Sequence, residues 1–375
     1  MPVPTAVIWP LDPHTRVKHD ILRRYLDAWY PIFMQTPWRS VTYAEGFAGS
    51  GVYEQGEEGS PVIAAGVFLR RRHFLDNGKE LTMVLVEEDS RRLDQLRHEM
   101  QACVSRHGAT PRTMRIVYRH GECSARLLPA LSETGARSGP IFAFLDSFGG
   151  PDVPLHIARA IGSVRSSEVF VTFGTSFLTR FGADEAHQQQ GDEVFGSQAW
   201  RQVLALPPAE KKPFLVSTYR QSLISAGFRY VISFEMVDES GHDLHLVFGT
   251  SNPTGLQRMK DAMWNADPVQ GMRFRDPRDP DQMTFGFDLH PNLGPLRRSL
   301  LAKLDQSDQT VAELQDYALL ETVHRKPHAL AATREILREG LAERDPPAGQ
   351  LSGATRIKIS ARGRIRLAQQ HPSLF

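Results

Sequence analysis

Apolar positions along this chain follow two rhythms. Val17, Ile21, Leu22, Tyr25, Leu26 and Trp29 recur at spacings of three and four, the period of a helix with one buried face, and predict such a helix over residues 15–30. Short apolar or β-branched runs come next: Val41-Thr42-Tyr43, Leu81 to Val86, Arg115 to Tyr118, Ile141 to Leu145 and Glu168 to Phe173. The most continuous of them read like strands buried on both faces of a parallel sheet. Helices are expected between them. One opens at Gly59-Ser60-Pro61 with Pro at its first position. Others run from Ser90 to about Cys103, from Cys123 to about Leu131, and near 154–164. This alternation predicts a doubly wound α/β sheet with right-handed crossovers. The next two runs, Phe228 to Val237 and Leu244 to Thr250, are separated only by the polar residues 238–243. That is too short for a crossover and predicts an antiparallel hairpin closing the sheet.

Residues 268–295 are rich in Asp, Pro and Gly and read as a loop between domains. Beyond them a helix begins at Thr310 to Gln315, a second runs from Lys326 to about Gly340, and Leu341 to Arg344 and Arg356 to Ile359 look like short strands. That order suggests a winged-helix-like module. The expected division is therefore a sheet domain over 1–267, a linker over 268–296 and a small domain over 297–375. Charge sharpens the picture. Of the chain's 44 Lys and Arg and 43 Asp and Glu, residues 325–375 hold 10 and 4, which leaves 34 and 39 for the rest. A basic end on a mildly acidic body suits an anionic partner, although a solvated face would look the same. On a winged helix, Arg334 and Arg338 would lie on the recognition helix and Arg356 and Lys358 in the wing, contacting DNA or RNA phosphates. Such modules also dock proteins.

At 375 residues, 41% of them hydrophobic, the chain can bury a sizeable core. Two cysteines, Cys103 and Cys123, could form one disulfide but no disulfide framework, and a reduced cytoplasmic setting is expected. The first residues lack a basic segment followed by an apolar core, so they do not read as a signal peptide, and no apolar run approaches the roughly 18 residues that span a bilayer. The 14 histidines show no zinc-ligand spacing, so no metal is expected. There is no Gly-x-Ser-x-Gly elbow and no phosphate loop ending in Gly-Lys-Ser/Thr.

The chemistry concentrates at strand ends. Tyr43-Ala44-Glu45-Gly46-Phe47-Ala48-Gly49-Ser50-Gly51 ends a strand in an acid and a glycine loop, where backbone can approach a ligand that a Cβ would exclude. The stretch resembles the first motif of S-adenosylmethionine (SAM)-dependent methyltransferases. That resemblance implies SAM as cofactor, with Gly46, Phe47, Gly49 and Gly51 beside its methionine and ribose, and Glu45 meeting its ammonium directly or through water. Glu87, at the end of the second strand, would hold both ribose hydroxyls through charge-assisted bonds. Glu88 and Asp89 read as charges at a helix N-terminus. Glu122 and Cys123 would flank the adenine, or form a plain turn. Asp146-Ser147-Phe148 partly matches the Asp/Asn-Pro-Pro-aromatic segment of amino methyltransferases: Asp146 would orient or deprotonate the acceptor and Phe148 stack on a base. Alternatively, Asp146 binds the cofactor or caps a helix, and Phe148 packs in the core. Phe173 to Phe177 and Arg180 would line the substrate side.

A wider resemblance joins these pieces. Thr15 to Leu22, Phe47 to Tyr53 with Gly59-Ser60-Pro61, Val86 to Asp89, Phe144 to Gly149, Leu244 to Phe248 and Met259 to Trp264 resemble the TcmP family, the three-Cys-motif partner proteins, over roughly residues 15–340. Ser147 departs from the family's usual Asp-Pro-Phe-Gly. The resemblance implies a three-cysteine-motif, radical-SAM-like partner protein. Two functions are expected from the glycine loop, the strand-end acids and the basic end taken together. One is a SAM-dependent methyltransferase acting on a nucleic-acid base or nucleotide-like substrate by in-line displacement, helped mainly by positioning. The other is a non-catalytic nucleic-acid-binding adaptor for that partner. A pocket serving a nucleotide other than SAM is a third option.

Overall fold

The computed structural model describes residues 5–147, 152–237, 243–275 and 290–370. They divide into two compact units: one holds residues up to 262 together with 273–275, the other 263–272 and 290–370.

In the first unit α1 (Pro13–Met34) precedes β1 (Ser40–Glu45), α2 (Ser60–Leu69) and the short α3 (His73–Asp76). Then come β2 (Glu80–Glu87), α4 (Ser90–Arg106), β3 (Met114–His120), α5 (Cys123–Glu133), β4 (Ile141–Leu145), α6 (Leu155–Gly162) and β5 (Glu168–Phe173). α7 (Ser176–Phe181), α8 (Glu185–Phe195) and α9 (Pro208–Ser225) follow, then β6 (Tyr230–Val237), β7 (Asp243–Thr250), α10 (Pro253–Ala266, whose last four residues belong to the second unit) and β8 (Arg273–Arg275). The eight strands form one sheet in the order β3-β2-β1-β4-β5-β7-β6-β8. β1 to β5 are parallel to one another, and β7 runs antiparallel to both β5 and β6. This is an α/β, Rossmann-like, mostly parallel sheet. Strand order reverses between β1 and β4, which places the switch point at the carboxyl ends of those two strands.

The pleat explains the two cores. Alternate strand residues face opposite sides. Tyr43 and Phe142 stack on one side beneath α1, whose Trp29 lies 5.7 Å from Phe142 and whose Tyr25 lies 5.1 Å from Phe248 between ring centres. Ala44, Ala143 and Leu145 face the other side and pack with Leu127 of α5, Ile157 of α6 and Leu223 of α9. A polar tie crosses the first core. Glu168 of β5 is buried and accepts hydrogen bonds from Tyr25 Oη at 2.6 Å and Thr250 Oγ1 at 2.7 Å. Burial pushes its carboxyl up to about 7.

Two features depart from the sequence expectation. The stretch between β5 and β6, read only as a pocket edge, holds three helices. Residues 268–295, read as a loop, contribute β8, which pairs in parallel with β6 while Arg273 forms an ion pair with Glu235. Most of the polar turn, residues 238–242, and Phe148 lie outside the described residues. Both cysteines are buried and free.

The second unit contains α11 (Gly294–Gln306), β9 (Gln309–Thr310), α12 (Val311–Glu321), α13 (Lys326–Arg338), β10 (Ala342–Asp345), β11 (Arg356–Ile359) and α14 (Ala361–Gln370). Its strands form an antiparallel sheet in the order β10-β11-β9. Thr310 caps α12 in a reciprocal box with Glu313. Leu300, Leu314, Ala329, Ile336 and Ile357 make its core. β11 alternates strictly, with Ile357 and Ile359 buried and Arg356 and Lys358 exposed. Arg334 and Arg338 are exposed on α13. Among the described residues no helix is long and apolar enough to cross a membrane.

Candidate functional site

A cavity of about 790 Å³ opens at the switch point of the first unit. Gly46, Phe47, Gly49 and Gly51 of the loop after β1 form one wall, and Glu87, Glu122 and Cys123 line the part beside β2 and β3. Asp146 stands at the end of β4. Of residues 173–177 and Arg180, expected on the substrate side, Ser176 and Arg180 line the space, whereas Phe173 is buried in the core and Phe177 packs against it.

The loop is shaped by its glycines. Gly49 and Gly51 take left-handed φ of 65° and 78°, which L side chains adopt only with strain. Gly59 N donates to Gly51 O at 2.8 Å, closing the loop just before α2. Gly46 answers to packing instead: a Cβ there would lie 2.3 Å from Cys123 Sγ and 3.1 Å from Leu145 Cδ2. Gly46→Ala is therefore expected to destabilise the protein by about 1–3 kcal/mol, read as a lower melting temperature. Adding Cys123→Ala should restore part of that loss.

Glu87 is fixed by what it accepts. Its Oε2 takes the Gly49 N–H at 2.8 Å and its Oε1 the Asp89 N–H at 3.0 Å. Arg92 Nη1 lies 3.9 Å from Oε1, and the same guanidinium packs over the Trp9 ring at 4.9 Å. Asp89, read as a charge at a helix start, is the cap of α4, accepting from Arg91 N at 2.8 Å. Glu88 lines the cavity. The acid at the end of β2 thus grips the glycine loop of β1 and lines the cavity.

Glu45 takes a different place from the one the motif suggests. It is 0% exposed and is not among the lining residues. One oxygen accepts from Tyr43 Oη and the other from Ser60 Oγ at 2.8 Å. Burial pushes its carboxyl up to about 8. This acid braces the start of α2 against β1 from behind the loop.

Asp146 is paired with Lys18 Nζ in an ion pair whose side chains are 15% and 8% exposed. Lys18, with His14 and Thr15, brings the first turns of α1 to the cavity. Trp9 and Tyr53 add aromatic edges, 5.8 Å apart in a T-shaped contact. Sequence reasoning gave no site role to Lys18, Trp9 or Arg92. For Lys18 a signal existed: it shares a helical stripe with Leu22, Tyr25 and Trp29, where an unpaired charge would be costly. The basic residues Arg334, Arg338, Arg356 and Lys358 belong to the second unit, away from this constellation in the chain.

Searches for known relatives add the following. No family model and no curated protein sequence matches the chain. Solved structures do. A methyltransferase from Pyrococcus furiosus aligns at 13% identity over 60% of this chain and 83% of its own, with a TM-score of 0.28. A Klebsiella pneumoniae chain provisionally described as an O-methyltransferase aligns at 15% identity over 65% and 92%, with a TM-score of 0.32. A Listeria monocytogenes chain provisionally described as a class I S-adenosylmethionine-dependent methyltransferase aligns at 10% identity over 62% and 60%, with a TM-score of 0.30. At such identities and scores, the reading of the site rests on its own geometry.

Proposed function

We propose that the chain is a SAM-dependent methyltransferase acting on a nucleic-acid base or nucleotide-like substrate, together with the three-cysteine-motif, radical-SAM-like partner that the TcmP resemblance implies. One observation carries the cofactor assignment: Glu87, at the carboxyl end of β2, is hydrogen-bonded to the Gly49 backbone at the rim of the cavity. A carboxylate there can accept two hydroxyl donors side by side, as a ribose diol requires. Left-handed glycines in the adjoining loop keep Cβ atoms out of the space, and about 790 Å³ lies within the range of small-molecule sites. When bound, SAM supplies a methyl group on an electrophilic sulfonium. The chain's own part is to hold the adenosine between Glu87 and the Glu122–Cys123 turn, to keep the loop backbone against the cofactor, and to admit an acceptor from the side of Ser176 and Arg180.

The adaptor reading finds support in the second unit. Its helices α11 to α13 with the three short strands fit a winged helix, and the exposed Arg356 and Lys358 on β11 with Arg334 and Arg338 on α13 supply cations for DNA or RNA phosphates. The two readings part on one titration. Calorimetry of the full chain with SAM and with S-adenosylhomocysteine should give binding in the micromolar range. If the protein binds neither, alone or with its partner, the methyltransferase reading fails and the adaptor stands.

A further inference from the structure

We infer that the buried Lys18–Asp146 pair is the subsite for the α-amino and α-carboxylate groups of the amino-acid end of the cofactor, so that Asp146 serves as a binding residue rather than as the acceptor's base. The inference rests on the SAM reading of the cavity and assigns the half of it that the loop motif leaves without a partner.

Three observations lead there. The first is position. β1 lies between β2 and β4; Glu87 ends β2, Asp146 follows β4, and the glycine loop follows β1. Gly46 N donates to Phe144 O at 3.4 Å and Ala48 N to Val86 O at 2.9 Å, so the loop is tied to the neighbouring strand on each side. A ligand whose ribose meets Glu87 and whose thioether crosses the glycine loop brings its far end to Asp146. The second is the state of Glu45, the acid that the motif offers to the ammonium. It is fully buried and is not among the residues that line the cavity, its oxygens turned to Tyr43 and Ser60 behind the loop. The third is the distribution of charge. Glu88 and Asp152 line the cavity together with Cys123 and influence one another electrostatically, which places them toward the adenine end. At the β4 end a carboxylate and an ammonium stand side by side, both largely removed from water.

An adjacent anion and cation complement a zwitterion. The ligand's ammonium can donate to Asp146 while its carboxylate accepts from Lys18, which carries three N–H donors and spends one on Asp146 Oδ2. Four alternating charges then neutralise each other in a poorly solvated corner, where such bonds count for most.

The test compares two probes on the full chain by calorimetry: S-adenosylhomocysteine, and 5′-methylthioadenosine, which keeps the adenosine and the thioether but lacks the amino-acid group. The wild type should bind S-adenosylhomocysteine about 10- to 100-fold more tightly than methylthioadenosine. Lys18→Gln and Asp146→Asn should each remove most of that preference while leaving methylthioadenosine affinity within about twofold, which also shows that the variant's pocket is intact. Equal affinity of the wild type for both probes would overturn the inference and leave the SAM reading in place. So would variants that keep the preference or weaken both probes alike. Failure of the wild type to bind either probe would remove the SAM reading and this subsite together.

Discussion

Glu87→Ala is expected to weaken S-adenosylhomocysteine binding at least 100-fold, the largest single effect among the residues of this cavity. The side chain would accept two hydrogen bonds from the ribose hydroxyls, each worth about 1.5–3 kcal/mol, and a factor of ten in affinity corresponds to about 1.4 kcal/mol. It also accepts from Gly49 N and Asp89 N, so the same substitution leaves two partly buried amides without their acceptor. A stability loss of about 1–3 kcal/mol should accompany it. Glu87→Gln separates the two effects. An amide oxygen can still accept one of the loop N–H groups, so denaturant unfolding should move less than for alanine, while ribose binding should remain strongly impaired. Calorimetry and urea unfolding on the same samples check this. Unchanged affinity in Glu87→Ala would refute the ribose assignment.

The second large effect concerns pH. Burial holds Glu45 protonated up to about 8 and Glu168 up to about 7, against an ordinary value of 4.5. A carboxyl whose value is higher in the folded state than in the unfolded chain stabilises most below 4.5 and loses that contribution as pH rises through the folded value. His19 works in the opposite direction. Burial, with Lys18 and Arg23 nearby, lowers it from 6.5 to about 3, so folding loses stability as pH falls below 6.5. The opposing slopes overlap in acid and part above 6.5. Between pH 7 and 8 the slope belongs mainly to Glu45, about 1 kcal/mol per pH unit. In Glu45→Gln the amide oxygen can accept from one hydroxyl while the amide N–H donates to the oxygen of the other, and the loss of the titrating group should flatten the decline over that window, so that the variant is the more stable protein at pH 8.5. Urea unfolding at pH 6.5, 7.5 and 8.5 decides it. A wild-type slope that survives in Glu45→Gln would mean that the group is already ionised in the folded protein.

The strands of the parallel sheet were legible because burial on both faces demands near-continuous apolar runs, and Ile141–Leu145 and Glu168–Phe173 match their elements residue for residue. α1 was legible from its stripe, though it runs four residues beyond Tyr30 because Pro31 interrupts the sequence pattern without ending the helix. The helices α7 to α9 were not legible. α8 opens with the polar stretch Glu-Ala-His-Gln-Gln-Gln-Gly-Asp, and α9 carries Pro213 inside it; neither presents a clean period to a reader of sequence. At the site, glycines and strand-end acids could be located because their positions follow from chain order. Which way an acid turns could not. Glu45 and Glu87 both end strands, yet a hydroxyl from Tyr43 two residues earlier draws Glu45 inward, while the Gly49 and Asp89 amides hold Glu87 at the cavity. The Lys18–Asp146 pair joins residues 128 positions apart, a juxtaposition that only the packing of α1 on the sheet creates.

That packing has a practical side for anyone trimming the protein to a smaller soluble piece. A chain begun at Ser40 would retain every strand and the whole glycine loop, and would look complete as a Rossmann sheet. It would also lay bare the aromatic surface made by Tyr43, Phe142 and Phe248, which α1 roofs with Tyr25 and Trp29. It would strand Asp146 without its cation and Glu168 without the Tyr25 hydroxyl. Such a fragment is a candidate for inclusion bodies, and the residues before Ser40 belong in any expression vector meant to yield a working pocket.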